Sequence, residues 1–435
     1  MAQTTISSDG VHGNLFPDFE KRLSVFASVW IVGFFLPAAL LPLHFKERTE
    51  QDGYPFLLIP HLAWCLLFLG CLWLFVKHHH RKLGFMDGTV LLFCIYLFFL
   101  CATPSLFVAA WSLFFLSQCL RGQERQLALT TLKALLALHV VIAYLAYLFR
   151  YQQFHSPHVG YRASGLYFTP FFLAPHLLVF FFLLFAELLC HQTSWRTPWR
   201  WNAPFFVLVL IILTYTRGCW LGLAAGLVVI SFHQKRARRF LLFLAAIALI
   251  IGAFWLRAGK DISRQQLLQD SSAMSRLSDW QLDVAVLPYQ HLWLGAYALL
   301  HPAELTSTSP LRPLLSNALS HWLNGLPYQS STYNLFLDFL GYYGILGTMP
   351  FLLFTLALFR FLCKQNTLPD LPSEQRSLTT ATLGAWTALL VGGLFDPNVF
   401  TGTALHAGLI SLLLLTGLTL SWRFDKAQTQ EPTAM

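Results

Sequence analysis

The feature that most constrains this chain is a series of apolar runs long enough to cross a lipid bilayer. A membrane-spanning helix needs about 20 consecutive apolar residues. Hydrophobic residues make up 56% of the chain and charged residues 11%, whereas soluble domains are about 25% charged. This pattern excludes a soluble globular protein and a disordered chain, and it predicts a polytopic membrane protein. The runs lie at roughly 23–43, 54–76, 88–120, 127–149, 166–190, 203–232, 240–257, 343–362, 377–394 and 402–422.

Two of these runs, 88–120 and 203–232, are too long for a single crossing. The first contains Thr103-Pro104 near its middle, and the second contains Arg217. Both runs have Lys and Arg on either side, and such residues concentrate in cytoplasmic loops, so each run must cross an even number of times. The sequence therefore predicts two helical hairpins, one turning at Thr103-Pro104 and the other at Arg217. With legs of about 15 residues, or about 22 Å, the second hairpin places Arg217 in a recess below the outer membrane surface.

The predicted fold class is all-α, a polytopic membrane protein with about 12 transmembrane helices and both termini in the cytoplasm. Three parts are expected: an N-terminal transmembrane bundle over 1–257, a long outer loop over 258–333 and C-terminal transmembrane helices over 334–435. Within the loop, apolar residues recur at helical spacing, which predicts an amphipathic helix on the outer membrane face. These residues are Met274, Leu277, Trp280 and Val284.

Three arginines on the predicted outer side are candidate ligands for an anion. Arg217 lies inside an apolar run, where a charged residue is a functional candidate because its burial without a partner is costly. Arg276 begins the amphipathic pattern of the long loop, and Arg162 lies in another outer loop. A guanidinium group keeps its charge and binds phosphate through two parallel hydrogen bonds. The alternative for each residue is a solvated arginine, or one that pairs with the carbonyl groups at a helix end.

Other chemistries lack a supporting motif. The net charge of +9 suits the cytoplasmic loops of a membrane protein, so no nucleic-acid partner is expected. The sequence contains no phosphate-binding glycine loop, no serine-hydrolase motif and no histidine or cysteine spacing typical of a metal site. No cofactor and no metal are therefore predicted. His321, in the long loop, has the chemistry of a base near neutral pH.

Four segments resemble, in chain order, the motifs of the bacterial O-antigen ligase/polymerase superfamily. The segments are Arg162-Ala-Ser-Gly-Leu-Tyr-Phe-Thr-Pro-Phe-Phe-Leu-Ala174, Thr214-Tyr-Thr-Arg217-Gly-Cys-Trp-Leu221, Arg276-Leu-Ser-Asp-Trp280 followed by Leu292-Trp-Leu-Gly295, and Asn334 followed after nine residues by Gly344-Ile-Leu-Gly347. The resemblance covers roughly residues 150–400. The expected layout of twelve spans with one long outer loop agrees with it.

The resemblance implies an integral-membrane glycosyltransferase that uses a glycan linked to undecaprenyl pyrophosphate. It implies that the reaction takes place on the periplasmic face of the bacterial inner membrane, so the loop over 258–333 would be periplasmic. It also implies that arginines hold the pyrophosphate, so that no metal is needed. The substrate-binding candidates are Arg162, Arg217, Arg276, Trp280 and Asn334. The catalytic candidates are Arg217, Arg276, His321, Tyr333 and Asp338.

The chain departs from the family pattern at two places. Thr169-Pro170-Phe171 replaces Asn-Pro-Asn, and Tyr333 stands where ligase-type members carry histidine. Tyrosine, with an ordinary pKa near 10, is a poor base at neutral pH. A base role would then pass to His321 or Asp338, or be dispensable because the acceptor hydroxyl loses its proton late.

The missing histidine favours a polymerase, which joins repeat units while both donor and acceptor are lipid-linked. The alternative is a ligase, which passes the finished chain to lipid A-core. A third hypothesis is a transporter that binds an organic anion with Arg217 near the bilayer midplane. That hypothesis predicts inverted repeats, which the sequence does not show, and it gives no role to the long loop.

Overall fold

The computed structural model describes most of the predicted membrane region. The described residues are 70, 72–73, 75–76, 84–100, 105–150, 154–156, 160–165, 170–190, 199–242, 293, 334–395 and 407–429. Most of them are helical, as the sequence predicts. The helices and strands are α1 (Phe85–Leu100), α2 (Ser105–Cys119), α3 (Gly122–Leu148), β1 (Phe154–Ser156), β2 (Gly160–Arg162), α4 (Pro170–Cys190), α5 (Trp199–Leu213), α6 (Arg217–His233), α7 (Leu335–Asn366), α8 (Ser373–Gly393) and α9 (Ala407–Thr429).

Three stretches within the described residues are long and apolar enough to cross a membrane: Gly122–Leu148, Leu173–Cys190 and Tyr343–Asn366. Shorter apolar helices cover Phe85–Tyr96, Arg200–Leu213, Arg217–His233 and Gly408–Trp422. The described residues therefore support a multi-pass helical membrane protein. The count of twelve spans stays a prediction, because the runs at 23–43, 54–76 and 240–257 lie wholly or mostly outside the described residues. The same holds for the division into three parts and for the amphipathic helix in the loop.

The first long run folds as an antiparallel helical hairpin, α1 followed by α2. Gln118 in the last turn of α2 donates from Nε2 to Oδ1 of Asp87 in the first turn of α1, over 3.4 Å. This contact requires the two helices to run in opposite directions. The predicted turn at Thr103-Pro104 lies outside the described residues.

The second long run is also a hairpin, α5 followed by α6. Trp201 at the start of α5 stacks on Phe240, which follows the end of α6, with ring centroids 5.8 Å apart. The start of one helix therefore lies beside the region after the end of the other. The turn itself is formed by residues 214–216, and Arg217 is the first residue of α6. The predicted tip at Arg217 therefore lies one residue beyond the observed turn.

Helices α6 and α8 pack backbone to backbone along a line of small residues. A Cβ atom added at Gly222 would lie 2.1 Å from the carbonyl oxygen of Ala388, and one at Gly226 would lie 2.7 Å from that of Gly384. Only glycine allows this approach, which is typical of close helix pairs in membranes. We call this line the glycine seam, and its members are Gly218, Gly222, Gly226, Gly384, Ala388 and Gly392.

The glycine seam brings the start of α6 to the end of α8. Gly392 approaches the carbonyl oxygen of Gly218, the second residue of α6. Its neighbour Gly393 packs against Leu335, the first residue of α7. The starts of α6 and α7 therefore meet at the end of α8, and we call this the Arg217 end of the bundle.

Basic residues that flank the helices occupy the opposite end of the bundle. Arg236, beyond the end of α6, donates to the carbonyl oxygen of Leu189 near the end of α4, over 3.2 Å. Arg376, in the first turn of α8, donates to the carbonyl oxygen of Pro369 over 2.6 Å. Both positions are a helix length away from the Arg217 end. The sequence predicts this separation, because Lys and Arg on both sides of the second long run imply an even number of crossings and place Arg217 at the other end of the hairpin.

Aromatic side chains fill the core between α1, α2, α7 and α8. The ring centroids of Phe93 and Trp111 lie 5.6 Å apart, and those of Phe354 and Trp386 lie 5.7 Å apart. Phe339 stacks on Phe93 from the first turns of α7. These contacts fix the start of α7 to the α1–α2 hairpin and thereby position one side of the Arg217 end.

Candidate functional site at the Arg217 end

Arg217 opens helix α6 with its side chain exposed. Thr216 is the residue that precedes the helix, and its carbonyl oxygen accepts the first helical bonds from the N–H groups of Cys219 and Trp220, over 3.0 and 3.2 Å. The Thr216 side chain forms no capping hydrogen bond with the helix. A helix start carries partial positive charge from its backbone N–H groups. The guanidinium and the helix start therefore present positive charge at one place, which suits an anion.

The turn before Arg217 holds its backbone in an uncommon conformation. Tyr215 has a φ of 50°, in the left-handed region that bulky residues rarely adopt. For a non-glycine residue this conformation costs about 1–2 kcal/mol. Surrounding contacts must therefore stabilise the turn. Such strained positions are concentrated at functional sites in proteins.

Three donors from outside α5 stabilise the turn by bonding the last carbonyl groups of that helix. A helix end leaves such carbonyl groups without helical partners. The bonds are Trp220 Nε1 to Ile211 over 3.2 Å, Ala163 N to Leu213 over 2.9 Å and Arg162 Nε to Thr214 over 2.9 Å. The segment after β2 and the first turns of α6 thus hold the end of α5 from two sides.

Arg162 joins the first two sequence motifs. Besides its bond to Thr214, its Nη2 donates to Oγ1 of Thr216 over 3.4 Å, and its guanidinium lies 5.1 Å from the ring centre of Phe171 at the start of α4. The sequence suggested a direct ligand for the substrate at this position. In the structure the guanidinium contacts the turn that immediately precedes Arg217.

Asn334 caps the start of α7. Its Oδ1 accepts hydrogen bonds from the backbone N–H groups of Phe336 and Leu337, over 3.0 and 3.3 Å. This is the usual role of asparagine before a helix. Because Leu335 packs on Gly393 and Gly218 packs on Gly392, the residues that follow Asn334 and Arg217 both contact the end of α8. The fourth motif therefore begins at the same end of the bundle as the second.

The two glycines of the fourth motif break helix α7. Gly344 has φ 63° and ψ −173°, values that interrupt the helix. Tyr96 of α1 donates from its hydroxyl to the carbonyl oxygen of Tyr343 at this break, over 2.5 Å. A Cβ atom at Gly347 would lie 2.4 Å from the Tyr96 ring. One glycine supplies the conformation and the other leaves room for the tyrosine that satisfies the released carbonyl.

The break also connects α7 to the third motif. The backbone N–H of Leu346 donates to the carbonyl oxygen of Trp293 over 3.2 Å. A restarted helix has N–H groups without helical partners, and Trp293 accepts one of them. The side chain of Trp293 is exposed. A residue of the long loop segment is thus bound to the membrane helix that follows the loop.

A protein-family model described as O-Antigen ligase matches residues 203–352. This match over about a third of the chain supports membership of the O-antigen ligase/polymerase superfamily. The matched segment begins in α5, contains the turn with Arg217 and ends in α7 beyond the break at Gly344. The match supports glycan transfer of the O-antigen ligase or polymerase type. No curated protein matches the chain.

Several of the candidate residues that the superfamily motifs suggest fall outside the described part of the chain. These are Arg276, Trp280, His321 and Tyr333, together with the side chain of Asp338. Their roles stay predictions. Among the described residues, no group of three or more His, Cys, Asp or Glu side chains is arranged to hold a metal ion.

Sequence reasoning missed three features of the candidate site. Trp220 is named within the second motif, but only the folded turn shows that its indole N–H bonds the end of α5. The break at Gly344 was also missed, although two glycines three residues apart inside an apolar run are a signal for it. The left-handed Tyr215 had no signal, because glycine, asparagine and aspartate are the residues usually found in that conformation.

Proposed function

We propose that this protein transfers a glycan from undecaprenyl pyrophosphate to an acceptor sugar at the periplasmic face of the bacterial inner membrane. The observation that carries the proposal is the position of Arg217. Its exposed guanidinium stands at the first residue of α6, where the helix start adds partial positive charge. This arrangement fits the pyrophosphate of a lipid-linked donor.

The chemistry of the transfer explains why fixed positive charge is useful there. The acceptor hydroxyl attacks the anomeric carbon, the bond from that carbon to the pyrophosphate oxygen breaks, and lipid pyrophosphate leaves with both bonding electrons. Negative charge therefore grows on the leaving group. Positive groups held in place before the reaction stabilise this charge without reorganisation. Arg276 is proposed as a second ligand of the pyrophosphate.

The packing around Arg217 supports this role. Position 217 is adjacent to the glycine seam, where α6 contacts α8 through backbone atoms. Arg162, Ala163 and Trp220 bond the end of α5 on the other side of the turn. These contacts hold the backbone that carries the guanidinium in place, as the support of a charged binding group requires.

Substitution of Arg217 tests the proposal directly. Arg217→Ala should abolish transfer, measured in proteoliposomes supplied with lipid-linked donor and acceptor. Arg217→Lys should fail nearly as badly, because an ammonium group cannot make the bidentate contact. Arg150→Ala is a matched control, since Arg150 ends the segment after α3 and lies over the Tyr161 ring. Full activity of Arg217→Ala would refute the pyrophosphate site.

A chelator tests the metal-free chemistry. Because positive charge from arginine replaces a divalent cation in the proposal, EDTA should leave the transfer rate unchanged. Strong inhibition by EDTA that Mg²⁺ reverses would contradict it.

We favour a polymerase over a ligase because Tyr333 replaces the histidine of ligase-type members. Tyr333 can orient a sugar ring, and His321 or Asp338 is then the candidate base. A deletion strain that has a separate ligase should carry lipid A-core capped with a single repeat unit. Long polymer left on undecaprenyl pyrophosphate, with uncapped core, would favour the ligase, the activity that the family model describes.

The periplasmic orientation has its own test. A single cysteine placed by Ser307→Cys, in the loop over 258–333, should react with a membrane-impermeant thiol reagent in intact spheroplasts. Labelling only after lysis would reverse the orientation and the mechanism with it.

A further inference from the structure

Two aromatic side chains flank Arg217 and remain accessible. Tyr215 precedes Arg217 by two residues, Trp220 follows it by three, and each is 37% exposed. Their ring centroids lie 6.3 Å apart, with the ring planes inclined by 50°. The rings therefore form one contact surface beside the guanidinium. We call Tyr215 and Trp220 the aromatic pair.

We propose that the aromatic pair binds the first sugar of the donor, the one attached directly to the pyrophosphate. This inference rests on the proposed function, because it uses Arg217 as the pyrophosphate ligand. The sugar is joined to the pyrophosphate by a single glycosidic bond. Once Arg217 holds the pyrophosphate, this sugar lies within reach of rings on the same turn.

The hydrogen bond of Trp220 shows which part of the indole is presented. A tryptophan that merely anchors a protein at the membrane interface directs its N–H toward water and lipid headgroups. Trp220 instead donates this N–H inward, to the carbonyl oxygen of Ile211. The exposed part of the side chain is therefore ring surface without its polar group. A pyranose offers a matching surface, since one of its faces consists mainly of C–H groups.

The backbone of Tyr215 gives an independent reason to assign the pair a role. Its left-handed φ of 50° is unfavourable for tyrosine and acceptable for glycine or asparagine. A residue chosen only to make the turn would be one of those two. A tyrosine at this position is explained if its ring contacts the substrate.

The position of the pair favours the sugar over the isoprenoid chain of the same donor. Tyr215 lies in the turn, beyond the ends of both apolar helices. The isoprenoid belongs to the membrane interior, alongside the exposed apolar residues farther along α6. These include Leu221, Val228 and Phe232. The glycan, by contrast, extends from the pyrophosphate away from the membrane.

The test compares two probes on purified protein in nanodiscs. One is undecaprenyl pyrophosphate carrying a single N-acetylglucosamine, and the other is undecaprenyl pyrophosphate without sugar. Tyr215→Asn removes the ring and suits the left-handed backbone. It should weaken binding of the glycosylated probe about three- to tenfold, the loss expected for one aromatic contact. Binding of the sugar-free probe should not change.

Variants of Trp220 separate the ring from the N–H. Trp220→Phe keeps a ring and loses the bond to Ile211, whereas Trp220→Leu loses both. If the ring binds sugar, Trp220→Leu should lower affinity for the glycosylated probe more than Trp220→Phe does. Phe85→Leu, which removes an exposed ring at the start of α1, is the control and should leave both affinities as they are.

The outcomes distinguish this inference from the function on which it rests. Equal weakening of both probes by Tyr215→Asn would assign the pair to the lipid or the turn and overturn the sugar site. So would unchanged affinity of both probes. Failure of Arg217→Ala to weaken the sugar-free probe would instead overturn the pyrophosphate site of the proposed function.

Discussion

The two helical hairpins of this protein arise from the same sequence pattern and are stabilised at opposite ends. In the α1–α2 hairpin, the polar contact between Asp87 and Gln118 joins the open end, where the two helices begin and finish. In the α5–α6 hairpin, the polar contacts gather at the closed end. There Arg162 and Trp220 bond the carbonyl groups that precede the turn.

This difference indicates which hairpin supports chemistry. Asp87 is 2% exposed. It holds α1 and α2 together at the end of the bundle that lies away from the start of α7. The bonds of Arg162 and Trp220 instead fix a strained turn that exposes Arg217. In this protein, the polar contact at the open end of the first hairpin joins two helices, whereas the polar contacts around the closed turn of the second hairpin hold the backbone beside Arg217.

The largest expected effect comes from the glycine seam behind the second hairpin. Gly222→Ala places a methyl group 2.1 Å from the Ala388 carbonyl oxygen, and backbone atoms on both sides must move. Overpacking of this kind costs about 1–3 kcal/mol or more. We expect a marked fall in melting temperature in detergent, measured by light scattering during heating. A melting temperature equal to that of the unmodified protein would show that α6 and α8 are not in backbone contact.

Substitution of Arg162 should lower turnover with little change in stability. Arg162→Ala removes the bonds to Thr214 and Thr216, so Arg217 loses its fixed position. We expect a decrease in kcat of about tenfold, or about 1.4 kcal/mol, with a small change in melting temperature. Arg162→Lys should recover only part of the rate, since lysine lacks the planar fork. Full recovery by lysine would mean that charge alone matters at this position.

Asp87→Ala should have the converse effect in the first hairpin. Loss of the carboxylate removes acceptors for the Gln118 side chain and for the N–H of Gly84. The expected loss of stability is about 1 kcal/mol, and kcat per folded molecule should stay constant. A fall in kcat at unchanged stability would show that the two hairpins do not divide these tasks.

The smallest effect is expected at Gly88, on α1. No atom lies within 4 Å of the place where its Cβ would be, so Gly88→Ala should fit without clash. Alanine favours a helix over glycine by about 0.5–1 kcal/mol, and the melting temperature should rise slightly. A decrease would indicate that α1, like α6, packs closely along this face.

The sequence predicts the hairpins and the separation of Arg217 from the basic flanks because both depend on charge and run length. It places the second turn at Arg217, one residue after the last residue of the observed turn. It does not predict that Arg162 bonds the turn, because the shorter of its two bonds is to the backbone carbonyl oxygen of Thr214, a group that any residue carries. The glycine seam has a visible pattern at Gly218, Gly222 and Gly226, but the partner helix cannot be read from that spacing. The sequence also does not predict the contacts of Asn334. Its motif suggested a substrate ligand, whereas in the structure its side-chain oxygen caps the start of α7.

The glycine seam has a consequence for how such a protein can change over evolutionary time. Contact between main-chain atoms does not depend on the identity of side chains elsewhere, so the arginine at the start of α6 is insulated from substitutions in distant segments. Segments that do not contact the seam can then diverge while Arg217 keeps its place. The position of the charged group and the composition of more distant segments would therefore vary independently over evolutionary time.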